Sequence, residues 1–119
     1  MLRGKFKFGM PILELEIENN FIEVLLDTGF NGQLMLPISL IKKLKLEKIA
    51  DGDYITADGG RKDTEVYKAR VKILNKEKEA EVLATNSNFS LAGMELFHDF
   101  RIVIERDKNI LDIDESEEN

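Results

Sequence analysis

The sequence contains no cysteine, which excludes disulfide bonds and thiolate metal sites. An excess of basic residues is also missing, because 17 lysines and arginines stand against 23 aspartates and glutamates, a net charge of -6. Since phosphate binding relies on clustered Lys and Arg, nucleic acid is not expected as a partner. No apolar run is long enough for a signal peptide or a membrane span. We therefore expect a cytoplasmic protein that does not bind a membrane.

Histidine is nearly absent, since His98 is the only one. Without cysteine a catalytic Cys–His pair is impossible, and zinc would have only His98 and carboxylates as ligands. No glycine-rich segment is followed by the Lys and Ser or Thr of a phosphate-binding P-loop. A Ser-His-Asp triad that uses His98 stays open, but no nucleophile-elbow sequence supports it. We expect neither a metal nor a cofactor.

The length of 119 residues, with 43% hydrophobic and 34% charged residues, is typical of one globular domain. We predict that this domain spans residues 1–111. The remaining segment, residues 112–119, is acidic and polar and is predicted to be a flexible C-terminal tail.

Most of the chain is predicted to form short strands. Aliphatic and acidic residues alternate from Ile12 to Ile17, and the Asn19-Asn20 turn leads into a strand from Phe21 to Leu26. Pro37 and the spacing of apolar residues predict a helix from Ile38 to Leu46. Further predicted elements are a hairpin of Tyr54–Ala57 with Glu65–Leu74, a strand at Ala80–Ala84, a short helix at Gly93–Asp99 and an edge or half-buried strand at Arg101–Glu105. This count predicts a closed, mostly-β barrel.

The most informative segment is Val24-Leu25-Leu26-Asp27-Thr28-Gly29. It reads as a buried strand that carries a carboxylate into apolar surroundings, where the charged form is disfavoured unless it is hydrogen-bonded or shares its proton. Two carboxylates that share one proton are the acid and base of an aspartic protease. The three residues Asp-Thr-Gly alone are more often an ordinary turn. The apolar strand before Asp27 and the Asn31-Gly32 turn after it favour the protease.

The segment from Leu25 to Gly29 resembles the active-site motif of the retropepsin-like aspartic proteases, particularly their small single-domain prokaryotic members. The segment from Phe89 to Phe97 resembles the second signature of that family, an apolar strand followed by a glycine and a short helix. The matched pieces extend from about Ile22 to Ile104. The resemblance implies a closed acid-protease barrel with one or two short helices and an aspartic endopeptidase that acts on peptides or proteins.

Only one Asp-Thr-Gly occurs in the chain, so a single copy cannot supply two such carboxylates. A symmetric homodimer can, with Asp27 of each copy at the two-fold axis activating a water molecule. The resemblance further implies that Thr28 and Gly29 support the active-site loop, with the Thr28 hydroxyl directed at the partner's backbone. Without a dimer, Thr28 is equally well explained as a β-branched residue in an extended turn.

The Asp58-Gly59-Gly60 sequence is a strong hairpin signal. On composition alone it predicts a surface hairpin with a flexible tip. In the family that the chain resembles, a hairpin in this region covers the substrate as a flap, so Ala57, Asp58, Gly59 and Gly60 are candidate flap residues. Glycines would supply the hinge freedom that such a lid needs.

Two positions depart from the retroviral pattern. Phe30 follows the Asp-Thr-Gly where those proteins have a small residue, and Met94 follows Gly93 where they have a basic one. Phe30 would narrow the substrate groove or contact the partner, and Met94 cannot form an intersubunit ion pair. The main alternative is therefore a non-catalytic dimeric module that binds peptides or proteins through the same barrel. A processing protease with one dedicated protein target is an intermediate possibility.

Overall fold

A computed structural model describes residues 1–116 of the chain. Within these residues there are eleven strands, one α-helix and two 3₁₀ helices. The strands are β1 (Leu2–Arg3), β2 (Lys5–Lys7), β3 (Met10–Ile17), β4 (Asn20–Leu26), β5 (Leu34–Pro37), β6 (Glu47–Ile55), β7 (Arg61–Ile73), β8 (Lys76–Thr85), β9 (Leu91–Ala92), β10 (Phe100–Glu105) and β11 (Ile110–Glu115). The α-helix α1 spans Ile38–Leu44, and the 3₁₀ helices span Met94–Phe97 and Arg106–Lys108.

The strands form two sheets. The larger has eight strands in the order β2-β3-β4-β9-β5-β8-β7-β6, and the smaller has three in the order β1-β11-β10. An additional pairing of β3 with β7 folds the large sheet back on itself, but it spans only the pairs Glu16–Lys72 and Ile17–Val71. The predicted mostly-β class is confirmed. The closed barrel stays a prediction, because this one short contact joins the two sides of the sheet and β2 and β6 remain at its edges.

The predicted β3–β4 hairpin is confirmed and shows how the sequence pattern positions the core. Leu13 and Leu15 are fully buried, whereas Glu14 between them is exposed, as alternation along a strand requires. The turn uses Glu18 and Asn19 with φ of 48° and 63°, a left-handed conformation that asparagine tolerates well. The hairpin then returns as β4, which ends one residue before Asp27.

The helices are shorter than the sequence predicts. The helix α1 ends at Leu44 rather than Leu46, because Lys45 adopts a left-handed conformation with φ of 55° and its N–H caps the carbonyl of Ile41. The short helix predicted for Gly93–Asp99 is a single 3₁₀ turn at Met94–Phe97. None of the helices in the part of the chain that the structure describes is long and apolar enough to cross a membrane.

The C-terminal segment differs from the flexible tail predicted for residues 112–119. Residues 112–115 belong to β11, which pairs with both β10 and β1. Leu111 and Ile113 are fully buried between the acidic residues, and Arg3 donates a hydrogen bond to Asp112 over 3.0 Å. Two buried aliphatic side chains thus hold this acidic strand in place. The last three positions of the predicted tail, 117–119, lie outside the described residues.

Candidate active site

The loop that carries Asp27 begins where β4 ends. Leu26 is buried in the core, and the Asp27 N–H donates a hydrogen bond to the Ala92 carbonyl over 2.9 Å. The backbone of Asp27 is therefore fixed by the second signature segment. The side chain of Asp27 is half-buried, while Thr28 and Gly29 are exposed.

The Asp27 carboxylate is oriented by its own loop. Its Oδ1 accepts a hydrogen bond from the Gly29 N–H over 2.9 Å, and the Asp27 carbonyl accepts one from the Phe30 N–H over 3.2 Å. Such Asp-centred turns are frequent, so the geometry agrees with the ordinary turn interpretation as well. Here, however, the turn holds a carboxylate at the surface of the chain directly after a buried strand.

The two signature segments meet in space. Strand β9 lies between β4 and β5: it runs parallel to β4, with Leu25 opposite Leu91, and antiparallel to β5, with Leu34 opposite Ala92. The strand before the Asp27 loop and the strand after it are therefore joined by a two-residue strand from about 65 residues further along the chain. The sequence predicts each segment, and the structure shows that they form one unit.

Gly93 packs directly against the Asp27 loop. Its N–H donates to the Gln33 carbonyl over 2.9 Å, and the next N–H, of Met94, donates to the Phe30 carbonyl over 3.2 Å. A Cβ at position 93 would lie 2.2 Å from the Gly32 carbonyl oxygen and 2.5 Å from that of Phe30. Only glycine permits this close approach of the two backbones.

Phe30 occupies the space beneath its own loop. Its ring is half-buried and would be 2.5 Å from a Cβ at Gly32 and 2.8 Å from one at Gly93. The departure from the small residue of retroviral members thus has a packing role within the chain. Met94, the second departure, is 42% exposed.

Gly29 contrasts with Gly93. A Cβ added at Gly29 would meet only the Oδ1 of Asp27, at 3.4 Å, which is an ordinary contact. The packing of the single chain therefore does not require glycine at this position. A need for glycine there can only arise from something outside the chain, such as a substrate or a second copy.

Gln33 is a loop residue that the sequence analysis did not identify. Its side-chain Oε1 accepts a hydrogen bond from the Glu81 N–H over 2.6 Å, and its carbonyl accepts the one from Gly93. Gln33 therefore ties the Asp27 loop to β8 on one side and to the second signature on the other. The only signal in the sequence is a polar residue directly before the apolar Leu34–Leu36 run.

The candidate flap residues lie at the tip of the β6–β7 hairpin. The hairpin signal is confirmed, and the strands are longer than predicted. Pairing of β7 with β8 ends at Val66, so the part of the hairpin from there to the tip is a two-stranded ribbon. At the tip, Asp58 accepts hydrogen bonds from the Thr56 hydroxyl and from the Gly60 N–H, the latter over 3.0 Å, and these two bonds lower the pKa of Asp58. Gly59 has φ of 85°.

Ion pairs connect the two strands of this ribbon. Lys48 on β6 lies 2.8 Å from Glu65 on β7, and the hydrogen bonds of Lys48 to Glu65 and then to Asp51 raise its pKa. Nearer the tip, Arg61 lies 2.9 Å from Asp53. Exposed pairs of this kind are individually weak, so they favour the register of the hairpin without making it rigid.

A further ion pair holds the strand that delivers Asp27. Glu23 on β4 accepts hydrogen bonds from Lys7 on β2 over 3.0 Å, and this contact lowers the pKa of Glu23. Lys5 approaches the same carboxylate at 3.6 Å. The pair crosses over β3 and so connects three neighbouring strands.

The other candidate chemistries gain no support from the geometry. His98 is exposed and follows the 3₁₀ turn at Met94–Phe97. Among residues 1–116 there is no group of three or more His, Asp or Glu side chains that could hold a metal ion. A surface concavity of about 340 Å³ lies where α1 ends against β7, and its lining includes no residue of the Asp27 loop.

No protein-family model matches the chain, and no curated protein matches it. Solved structures do. A retropepsin-like aspartic protease from Rickettsia conorii is 25% identical, with a TM-score of 0.70 over 93% of this chain and 86% of that one. The EIAV protease in complex with the inhibitor HBY-793 is 21% identical, with a TM-score of 0.66 over 76% of this chain and 86% of that one. The simian foamy virus (mac) protease is 25% identical, with a TM-score of 0.54 over 71% and 88%.

These likenesses extend over most of each protein, and the matched structures are all aspartic proteases. They agree with the resemblance noted from the two sequence signatures. The chain has the retropepsin-like fold.

Proposed function

We propose that this protein is an aspartic endopeptidase that acts as a homodimer, with Asp27 of each copy forming its catalytic pair. The observation that carries the proposal is the position of Asp27. It is a half-buried carboxylate, held by Gly29 and Ala92 at the end of a core strand, in a retropepsin-like fold. Because each chain has one Asp-Thr-Gly loop, a second copy is needed to complete the pair.

The chemistry follows from the proximity of two identical acids. At a separation of about 3 Å both carboxyl groups cannot ionise, so one holds a proton and the other does not. The ionised Asp27 removes a proton from a water molecule that attacks the peptide carbonyl. The protonated Asp27 donates a hydrogen bond to that carbonyl and then helps protonate the leaving amine. The reaction needs neither a covalent intermediate nor a metal.

Thr28 and Gly29 support this arrangement in the proposal. Both are exposed in the single chain, and space next to Gly29 is open. The Thr28 hydroxyl is available to hydrogen-bond the loop of the partner, and the absence of a Cβ at Gly29 lets the partner's backbone or a peptide approach closely.

Ala57 to Gly60 form the substrate-covering flap in the proposal. The ribbon that carries them has no third strand beside it, which is the condition for movement as a unit. A peptide bound beneath the tip would be shielded from water during the reaction.

The test replaces Asp27 by Asn, which is nearly isosteric and keeps the fold. We expect hydrolysis of an unstructured peptide pool to fall by about 10²- to 10⁴-fold, the usual contribution of a general acid or base. A statine-type transition-state mimic should block the wild type. The matched control is Asp107→Asn, an exposed aspartate in the turn at Arg106–Lys108, which should leave the rate unchanged.

Two outcomes would contradict the proposal. Cleavage that persists undiminished in Asp27→Asn would show that the carboxylate is not used. Tight peptide binding without hydrolysis at both acidic and neutral pH would instead support the alternative, a dimeric binding module with the same fold.

A further inference from the structure

The strand β10 is the open edge of the small sheet. It pairs on one side with β11, and no other strand of residues 1–116 pairs with its outer side. It is six residues long, Phe100–Glu105, and contains no proline or glycine. Proteins usually protect such an edge, because its unpaired N–H and C=O groups pair readily with another strand.

The sequence of this edge complements itself. In the segment Arg101-Ile102-Val103-Ile104-Glu105, a basic end, an apolar centre and an acidic end follow one another. If two copies pair antiparallel about a two-fold axis at Val103, Arg101 lies opposite Glu105 of the second copy, and Ile102 lies opposite Ile104. Each contact occurs twice because the interface is symmetric. Opposite charges and aliphatic pairs in these positions favour strand pairing.

Burial along β10 agrees with such a partner. Phe100 is buried and Ile102 is half-buried against the core, whereas Ile104, on the same face, is 42% exposed. In the proposed register, Ile102 of the second copy would cover Ile104. The apolar face of the small sheet would then continue from one chain into the other.

The charged side chains are available for these contacts. Arg101 is exposed and lies opposite Asp114 in its own hairpin. It takes part in none of the ion pairs formed by residues 1–116. Glu105 makes one exposed pair with Lys108 at 3.3 Å, which a partner's guanidinium can replace at little cost.

We infer that the two chains of the proposed dimer join through antiparallel pairing of β10 with β10, centred on Val103. The inference rests on the proposed function, because it supplies the interface that brings the two Asp27 loops together. The small sheets of both copies then form one six-stranded sheet in the order β1-β11-β10-β10-β11-β1. The 3₁₀ turn at Met94–Phe97 connects this sheet to Gly93, which packs beneath the Asp27 loop.

Charge reversal tests the register by sedimentation of the purified full-length chain. Glu105→Arg places Arg opposite Arg101 at two symmetric contacts, and we expect the dimer dissociation constant to rise about tenfold or more. Arg101→Glu should act similarly. The double variant R101E/E105R should restore the dimer, and an equimolar mixture of the two single variants should form a heterodimer. Lys42→Glu on the exposed face of α1 is the matched control and should change nothing.

The outcomes separate this inference from the proposed function. Single reversals that leave the dissociation constant unchanged, or a weakened dimer that neither the double variant nor the mixture restores, would overturn the β10 pairing. Melting temperatures show whether each variant is folded. If those variants still cleave peptides while Asp27→Asn does not, the peptidase stands with another interface. If the dimer follows the charges but no peptide is cleaved, the pairing stands and the peptidase is refuted.

Discussion

At the level of single residues, the Asp27 turn shows that a structural and a catalytic interpretation of one motif need not compete. The hydrogen bond from the Gly29 N–H to Oδ1 is the one that an ordinary Asp turn makes. The same bond fixes the direction of the carboxylate without a second side chain. A turn that is stable in the free chain therefore positions the acid in advance, which is what a catalytic group requires.

The close contact at Gly93 leads to a stability prediction. In Gly93→Ala, the new Cβ would clash with the carbonyl oxygens of Gly32 and Phe30, at 2.2 and 2.5 Å, and neither is the end of a flexible side chain. We expect the free energy of unfolding to fall by about 1–3 kcal/mol or more, the usual cost of overpacking. Urea denaturation followed by circular dichroism would measure it. An unchanged midpoint would show that the loop and the second signature are packed less tightly than here.

Gly29→Ala is the matched variant, because the same methyl group is added in the same loop. Its Cβ would meet only the Asp27 Oδ1, at 3.4 Å, so we expect the stability of the single chain to change by less than about 1 kcal/mol. If the partner or the peptide approaches this position, the rate of peptide cleavage or the strength of the dimer should fall nevertheless. An equal loss of stability in both variants would remove the distinction.

At the level of elements, the strands were predictable because one face of each is buried. The alternation in β3 and the apolar run in β4 specify their positions directly. The helix end at Lys45 was missed, because the apolar spacing continues to Leu46 while the backbone turns left-handed before it. The strand β11 was missed because its buried residues, Leu111 and Ile113, are only two among several acids.

For the site, the sequence predicts the two segments but not how they are joined. The insertion of β9 between β4 and β5 is a long-range pairing, and no local pattern encodes it. The role of Gln33 could not be predicted either, since its partners, Glu81 and Gly93, are distant in sequence. Contacts of this kind depend on the whole fold.

The hairpin tip leads to a prediction about pH. Hydrogen bonds from Thr56 and Gly60 lower the pKa of Asp58 below its ordinary value of 3.8, so the ionised form stabilises the tip. A lowered pKa in the folded state means that this contribution is present above pH 3.8 and is lost as the pH falls through the folded-state pKa. We expect the Gly60 amide to exchange faster with solvent at the acidic end of this range, after correction for the intrinsic rate, as measured by NMR.

Asp58→Ala is the control for this effect, because it removes the acceptor at every pH. In that variant the corrected exchange of the Gly60 amide should be fast and independent of Asp58 ionisation. The amide of Ala69, in the part of β7 that pairs with β8, should be protected in both proteins. If the wild-type Gly60 amide behaves the same at all pH values, Asp58 does not order the tip.

At the level of the whole molecule, the single chain presents half of a symmetric site. It has one Asp-Thr-Gly loop, one ribbon for a flap and one open edge at β10. These features each lack a counterpart within the described residues, and a two-fold axis would supply all of them at once. Assembly and catalysis are then linked, because a chain that is folded but alone has no catalytic pair.

This linkage predicts how a mixture of wild-type and Asp27→Asn chains behaves. If the chains exchange freely and every active dimer needs two Asp27 residues, activity follows the square of the wild-type fraction, so an equimolar mixture retains about one quarter of the activity of the pure wild type at the same total concentration. Dilution of the wild type with an inert protein, at a concentration where it stays dimeric, should leave about half. The measurement is the initial rate of peptide cleavage over a series of mixing ratios. A linear decline would mean that each chain works independently, and the paired-acid site would then be refuted whatever the oligomeric state.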